Sequence, residues 1–213
     1  FENLLTDLLE ISRYDAGAAV LDLDTVDLAA LVRRAVESAR PLAERRGTHL
    51  VLVTGQDPCP VECDPRRVDR ILRNLLDNAV EHGEGLPIDI AVAGDGVAVA
   101  VTVRDRGVGL ADTDLIRVFD RFWRADPARA RQTGGTGLGL AIALEDTRLH
   151  AGWLEAWGAP GEGACFRLTL PCRAEVTVQE SPLPLVPLDQ PPDPPGEDAP
   201  LPRAEADVSQ ARA

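Results

Sequence analysis

A two-layer α/β sandwich on a mixed sheet is the fold class this sequence predicts, and three observations predict it. Two long segments, 28–45 and 66–83, carry apolar residues at helical spacing. Short apolar runs lie between and after them, and two of these, LPIDIAVAG (86–94) and VAVAVTVRD (97–105), are joined by Asp95-Gly96, a strong hairpin signal. Helices and hairpins are interspersed rather than strictly alternating, which argues against an all-parallel βαβ sheet.

Each element has its own signal. FENLLTDLLEISRYDAG places apolar residues at 1, 4, 5, 8 and 11, one face of a helix that Gly17 ends. A helix this short is marginal alone in water, so it is expected to pack against another helix lying upstream. AVLDLD (19–24) reads as a short strand. Asp27 is placed to cap a helix from Leu28 to about Arg45, with Leu28, Leu31, Val32, Ala35 and Val36 on one face. HLVLVT (49–54) and PVEC (60–63) read as strands, and Asp64-Pro65 supplies a cap and a first-turn proline for the next helix. That helix buries Val68, Ile71, Leu72, Leu75, Leu76 and Ala79. LGLAIALEDTRLHA (138–151) is a further helix, followed by strands WLEAWG (153–158) and ACFRLTLP (164–171).

Composition narrows the function. Of 213 residues, 35 are acidic and 22 basic, all of the latter arginine, for a net charge of −13. That balance argues against general nucleic-acid binding. No run of 18 apolar residues is present and no signal-peptide pattern is visible. The cysteines at 59, 63, 165 and 172 lack the usual metal-site spacing and read as incidental thiols of a reducing, cytoplasmic setting. The chain begins with Phe and has no methionine, from which a longer or processed protein is expected. Residues 174–213 hold nine of the seventeen prolines, eight acids against two arginines and no aromatic residue, and read as a disordered tail.

Four constellations carry chemistry. Asn74 and Asn78, four apart on the helix before His82, share one face at the edge of the buried stripe, a placement suited to ligating a cation and its phosphate. Asp105 leaves an apolar strand in DRGVG, with Gly107 and Gly109 allowing close approach of a flat ring. VFDRFWR (118–124) gathers three of the eight aromatic residues; Phe119 and Phe122 read as a hydrophobic plug, and Arg124 opens a basic stretch resembling a lid. Finally, GGTGLGL (134–140) leads into a helix whose first N–H groups favour an anion. It is neither a Walker loop, since the chain has no lysine, nor a dinucleotide fingerprint, since Ile142 stands where the third glycine belongs.

In this order and spacing, N-x3-N, DxGxG, FxxFxR and GGTGLGL resemble the nucleotide-binding boxes of sensor histidine kinases, in the ATPase superfamily shared with gyrase, Hsp90 and MutL. The resemblance covers about residues 1–171. Within it, NAVEHGEG, GGTGLGLAIALEDTRLH, LEAWGAPGEGACFRLTLP and the tail's SPLPLVPL are similar to the MtrB-type kinases of actinobacteria. The fold implied is a Bergerat-type ATP-binding domain over 18–173, with helices on one face of the sheet. Before it, residues 1–17 would be the end of a dimerisation-hairpin helix.

By this resemblance Asp105 takes the adenine amino group, with Gly107 and Gly109 admitting the ring and His82 near it. Asn78 ligates Mg²⁺ on the phosphates of ATP, with Asn74 beside it. Arg124 reaches the γ-phosphate when the lid closes, with Arg129 and Arg131 as further cations, while Gly135, Gly137 and Gly139 shape the phosphate loop with Thr136 and Leu138. Many such kinases have Lys-Tyr where Glu81 and His82 stand here, and Glu81 is not expected to bind phosphate. The superfamily's hydrolases and anti-sigma serine kinases carry a general-base Glu at the position of Asn74, and an amide cannot accept a proton. Transfer to histidine is therefore expected, with a non-catalytic nucleotide-binding or interaction module, or an anti-sigma-type serine kinase, as the alternatives.

None of His49, His82 and His150 is followed by Glu-x-Arg, so the phosphoacceptor histidine is expected outside this chain. The resemblance further implies a homodimer, membrane anchoring only through upstream segments, no direct nucleic-acid contact, and a response regulator of the MtrA type as partner.

Overall fold

The computed structural model describes residues 2–55, 58–125 and 136–187. Helix α1 (Glu2–Asp15) precedes β1 (Asp24–Asp27), α2 (Leu28–Arg45), β2 (Leu50–Thr54), β3 (Pro60–Cys63) and α3 (Pro65–His82). The hairpin β4 (Ile88–Gly94) and β5 (Ala98–Arg104) follows, then the short α4 (Asp112–Leu115). Helix α5 (Gly139–Leu149) and the strands β6 (Trp153–Ala159) and β7 (Gly163–Pro171) complete the elements.

Five strands form a sheet in the order β2-β4-β5-β7-β6, parallel only between β2 and β4. The mixed sheet expected from the hairpins is thus present. Alternate strand residues fill one core with the helices: Ile88, Ile90 and Val92 from β4, Val99, Val101 and Val103 from β5, Phe166, Leu168 and Leu170 from β7. Against them lie Leu28, Leu31, Val32 and Val36 of α2 and Val68, Ile71, Leu72, Leu75 and Leu76 of α3. Both long helices start where their caps predict. Asp27 accepts from Ala29 N at 3.1 Å, and Asp64 accepts from the backbone of Arg66 and Arg67 at 3.0 and 3.3 Å.

Three local expectations are corrected. The strand expected at 19–24 lies instead at Asp24–Asp27, where it pairs antiparallel with β3. Backbone pairing with Pro60–Cys63, and the N-cap role of Asp27 at the strand's last position, outweigh the apolar alternation of AVLDLD. Phe122, expected in a hydrophobic plug, is 60 % exposed with φ +63°, while Phe119 does pack, edge-on to Phe166 with ring centroids 6.2 Å apart.

The start of the expected tail is also different. Residues 174–187 pack along the sheet face opposite the helices, burying Val178 and Leu185. Thr169 and Ser181 hydroxyls meet at 2.9 Å, and the Arg167 guanidinium donates to Leu183 O at 2.6 Å. A sheet face carrying Arg167 and Thr169 offers polar anchors that the composition of the segment does not reveal.

All four cysteines are free thiols, and burial foremost pushes Cys63 up to about 12. Among the described residues no helix is long and apolar enough to cross a membrane.

Candidate functional site

A cleft of about 700 Å³ opens between the C-terminal half of α3, the end of β5 and the start of α5. Helix α3 projects Asn74, Asp77, Asn78, Glu81 and His82 onto its wall, positions that recur at helical spacing on one side of the buried stripe. Asp105 reaches it from the turn after β5 and Gly109 from the same turn. Thr136, Gly137 and Gly139 form the opposite rim, and Trp123 and Arg124 the outer wall. Leu110, Val118, Leu140 and Phe166 supply an apolar floor. A mostly apolar pocket with a few convergent polar groups is the usual form of a small-molecule site.

Asp105 is the most enclosed of these groups, 1 % exposed. Its backbone N–H donates to Ala164 O on β7, and its Oδ1 accepts from Gly107 N at 2.9 Å, fixing the carboxylate in the turn. Burial raises its pKa, and the hydrogen bonds that the carboxylate receives from the Gly107 and Ala164 backbone work in the opposite direction. A buried carboxylate held this way is a positioned acceptor for an N–H donor in the cleft.

The glycines of this turn serve the backbone more than the cleft. A Cβ on Gly107 would lie 1.8 Å from His82 O, and one on Gly109, at φ +72°, 1.8 Å from Ala159 O. They let the turn wedge between the end of α3 and the β6–β7 connection, so Gly107 is beneath the wall rather than on it. Leu138 is likewise not on the wall: it is buried with Ile11 of α1 and Ile142.

Across the cleft, Asn74 Nδ2 donates to Gly139 O at 2.8 Å, tying α3 to the first turn of α5. Gly137, at φ +69°, accepts from Phe122 N at 2.9 Å, and Leu138 N donates to Thr136 Oγ1. Gly135, Arg129 and Arg131 lie outside the described residues. The remaining expected residues, Asn74, Asn78, His82, Asp105, Gly109, Arg124, Thr136, Gly137 and Gly139, converge on one cavity.

Three participants were not anticipated: Asp77 on the α3 wall, Glu81 and Asp7. Glu81, set aside from the sequence, holds Arg124 through Nη2–Oε1 at 3.0 Å. Asp7 of α1 lines the cleft and accepts from Thr136 Oγ1 at 3.3 Å across 129 residues of sequence. Burial raises the Asp7 pKa against the lowering effects of Thr136 and Arg70. Helix α1 is thereby docked beside the glycine loop, with Arg121 also making two contacts to the Asp15 carboxylate at 2.7 and 2.9 Å. The sequence signal for this docking is the apolar stripe of α1, whose expected partner is a helix lying upstream; Ile11 of that stripe packs instead with Leu138 and Ile142 at the start of α5.

Comparison with known proteins agrees with this geometry. The chain is 55% identical over 191 residues to the sensor histidine kinase MtrB of Mycobacterium leprae, covering 90% of this chain and 34% of that protein. It thus spans about a third of the length of the curated relatives it matches. Among solved structures, full-length ShkA in complex with AMPPNP superposes with a TM-score of 0.71 at 29% identity, over 84% of this chain and 36% of that one. The mycobacterial sensor histidine kinase MprB matches with a TM-score of 0.60 at 26% identity, over 71% of this chain and 98% of that one. The model of the "Histidine kinase-, DNA gyrase B-, and HSP90-like ATPase" family matches residues 63–174, from the end of β3 through β7 and over every cleft element except α1. With more than half its length matched, the chain belongs to the histidine kinase-, DNA gyrase B- and HSP90-like ATPase family.

Proposed function

We propose that this chain is the ATP-binding catalytic portion of a sensor histidine kinase, passing the γ-phosphoryl group of ATP to a histidine outside it. The observation that carries the reading is the convergence of the buried Asp105 carboxylate, the amide line of α3 and the glycine rim of α5 on one cleft. Asp105 accepts from the adenine amino group, which gives the base end of the cleft its selectivity. The rim at Thr136–Gly139 receives the phosphates at the N-terminus of α5, where backbone N–H groups and the helix dipole favour anions.

Asn78 fits a Mg²⁺ site: it lines the same cleft as the Asp105 turn and the glycine rim and offers a neutral oxygen, a common ligand type for that ion. Among the described residues no cluster of three His, Cys, Asp or Glu could hold a metal by itself, and Asn78 would hold the ion together with the nucleotide. The ion, when bound, neutralises charge on the phosphates.

The chemistry asks little of the protein beyond placement. An imidazole nitrogen bonds to the γ-phosphorus while the bond to the bridging oxygen breaks and ADP leaves. The acceptor is already a nucleophile, so no general base is needed on α3. Asn74 agrees with this, since its amide is engaged as a strut to Gly139 O and cannot take a proton. From the acceptor histidine the phosphoryl group passes to a response regulator of the MtrA type. The whole protein is a homodimer held at the membrane by segments other than these, with this portion in the cytoplasm.

The test is direct. The chain is incubated with γ-labelled ATP, Mg²⁺ and a separately made helical hairpin carrying the acceptor histidine. Acid-labile label on the hairpin, and none on the chain itself, is expected. Nucleotide binding with no transfer would leave a binding module and refute the kinase reading.

A further inference from the structure

Among the described residues the cleft wall carries more acid than base. Among the described lining residues stand four carboxylates, Asp7, Asp77, Glu81 and Asp105, against one arginine, Arg124. That arginine is held by Glu81 at 3.0 Å, with side chains only 18% and 26% exposed, so water screens the pair incompletely. We infer that Glu81, by holding and offsetting the charge of Arg124, makes the cleft select metal-complexed over metal-free nucleoside triphosphate. This rests on the nucleotide reading above.

Position supports the role. Glu81 lies three residues beyond Asn78 and seven beyond Asn74, on the same side of α3, so it flanks the path of the phosphates. Arg124 stands where the outer wall gives way to the segment outside the described residues. A guanidinium alone at this point would attract any polyphosphate, whether or not a cation accompanied it. Paired with Glu81, it presents a dipole of little net charge, oriented by the carboxylate. A triphosphate with its full negative charge then meets repulsion from Glu81 and Asp77. The metal complex carries about half that charge and meets correspondingly less. Glu81 is thus a positioning and selectivity residue that touches nucleotide only through Arg124.

Equilibrium binding of a fluorescent ATP analogue separates the possibilities, measured at constant ionic strength with excess Mg²⁺ and again with EDTA. The wild-type chain is expected to bind at least about tenfold more weakly in EDTA. Glu81→Gln keeps the shape and removes the charge. It should tighten metal-free binding by about fivefold while changing Mg²⁺-loaded binding less than about twofold, so the ratio of the two constants shrinks. Glu81→Lys should shrink it further, and thermal melting confirms that both variants fold. A ratio unchanged in both variants, or affinity lost equally in both conditions, would overturn the inference, as would wild-type binding indifferent to the metal. Absence of wild-type binding both with Mg²⁺ and with EDTA would instead sink the nucleotide reading itself.

Discussion

Helix α3 carries two polar arrays of opposite character. Its N-terminal half projects Arg67 and Arg70 into a closed network with α1 and α5, whereas its C-terminal half lines the open cleft with Asn74, Asn78 and Glu81. In the first array Asp146, fully buried, receives Arg67 Nη1 at 2.9 Å and Arg70 Nε at 2.8 Å. Tyr14 OH bonds the same carboxylate at 2.7 Å, and Arg70 also pairs with Glu10 at 3.0 Å. Burial and the Asp146 hydrogen bond together push the Tyr14 pKa upward, so its hydroxyl stays a donor. In the second array the polar atoms face a cavity. One helix thus shows the difference between charge that closes on itself to hold elements together and polarity left turned toward a ligand.

The comparison breaks most visibly at Asp146. Asp146→Ala leaves two arginines that are 15% and 28% exposed facing an empty position, and about 3 kcal/mol of stability should be lost. Because Asp146 does not line the cleft, the folded variant should keep its nucleotide affinity within about twofold. Chemical denaturation beside a nucleotide titration checks both halves. A large loss of affinity with little loss of stability would erase the distinction between the arrays.

Asn78→Ala should show the reverse. The residue is half-buried at the cleft wall, so stability should change by less than about 0.5 kcal/mol. Mg²⁺-dependent nucleotide affinity should fall by about tenfold if the side chain supplies the ligand oxygen proposed for it. Calorimetric titration with and without Mg²⁺ reads the effect. Equal affinity in the variant and the wild-type chain would remove Asn78 from the site.

This contrast was only half visible in the sequence. The cleft residues are local signals: two amides four apart, an acid at a strand end and glycines before a helix. The closed array is not local, because Arg67 and Arg70 meet their partner Asp146 only across 79 and 76 residues of sequence. The same holds for Glu81 and Arg124, 43 apart, and for Asp7 and Thr136. Caps and apolar stripes located α2 and α3 because those rules act within a few residues. The strand at 24–27 and the packed segment 174–187 escaped, since each depends on what a distant backbone or side chain offers.

The smallest expected effect sharpens the comparison from beneath the closed array. His150 is 6% exposed; its Nδ1 lies 2.6 Å from Asp146 O, and its Nε2 accepts from Asp64 N at 3.0 Å. Only a neutral ring with its proton on Nδ1 satisfies both contacts, since a proton on Nε2 would point at another N–H. Burial, the largest influence, lowers its pKa below the ordinary 6.5; the Asp146 backbone and the Asp146 and Asp64 carboxylates oppose the shift, while Arg67 adds to it. The unfolded chain therefore binds a proton at higher pH than the folded one. The resulting stability is complete above 6.5 and is lost as the pH falls through the folded value. The melting temperature should drop between about pH 7.5 and about pH 5.5, and drop less in His150→Gln, which has no ring to protonate. Parallel slopes in the two proteins would show that the ring titrates alike in the folded and unfolded chains. A steeper slope in the wild type would tie the pH response to the contact that joins the ends of α3 and α5, away from the cleft.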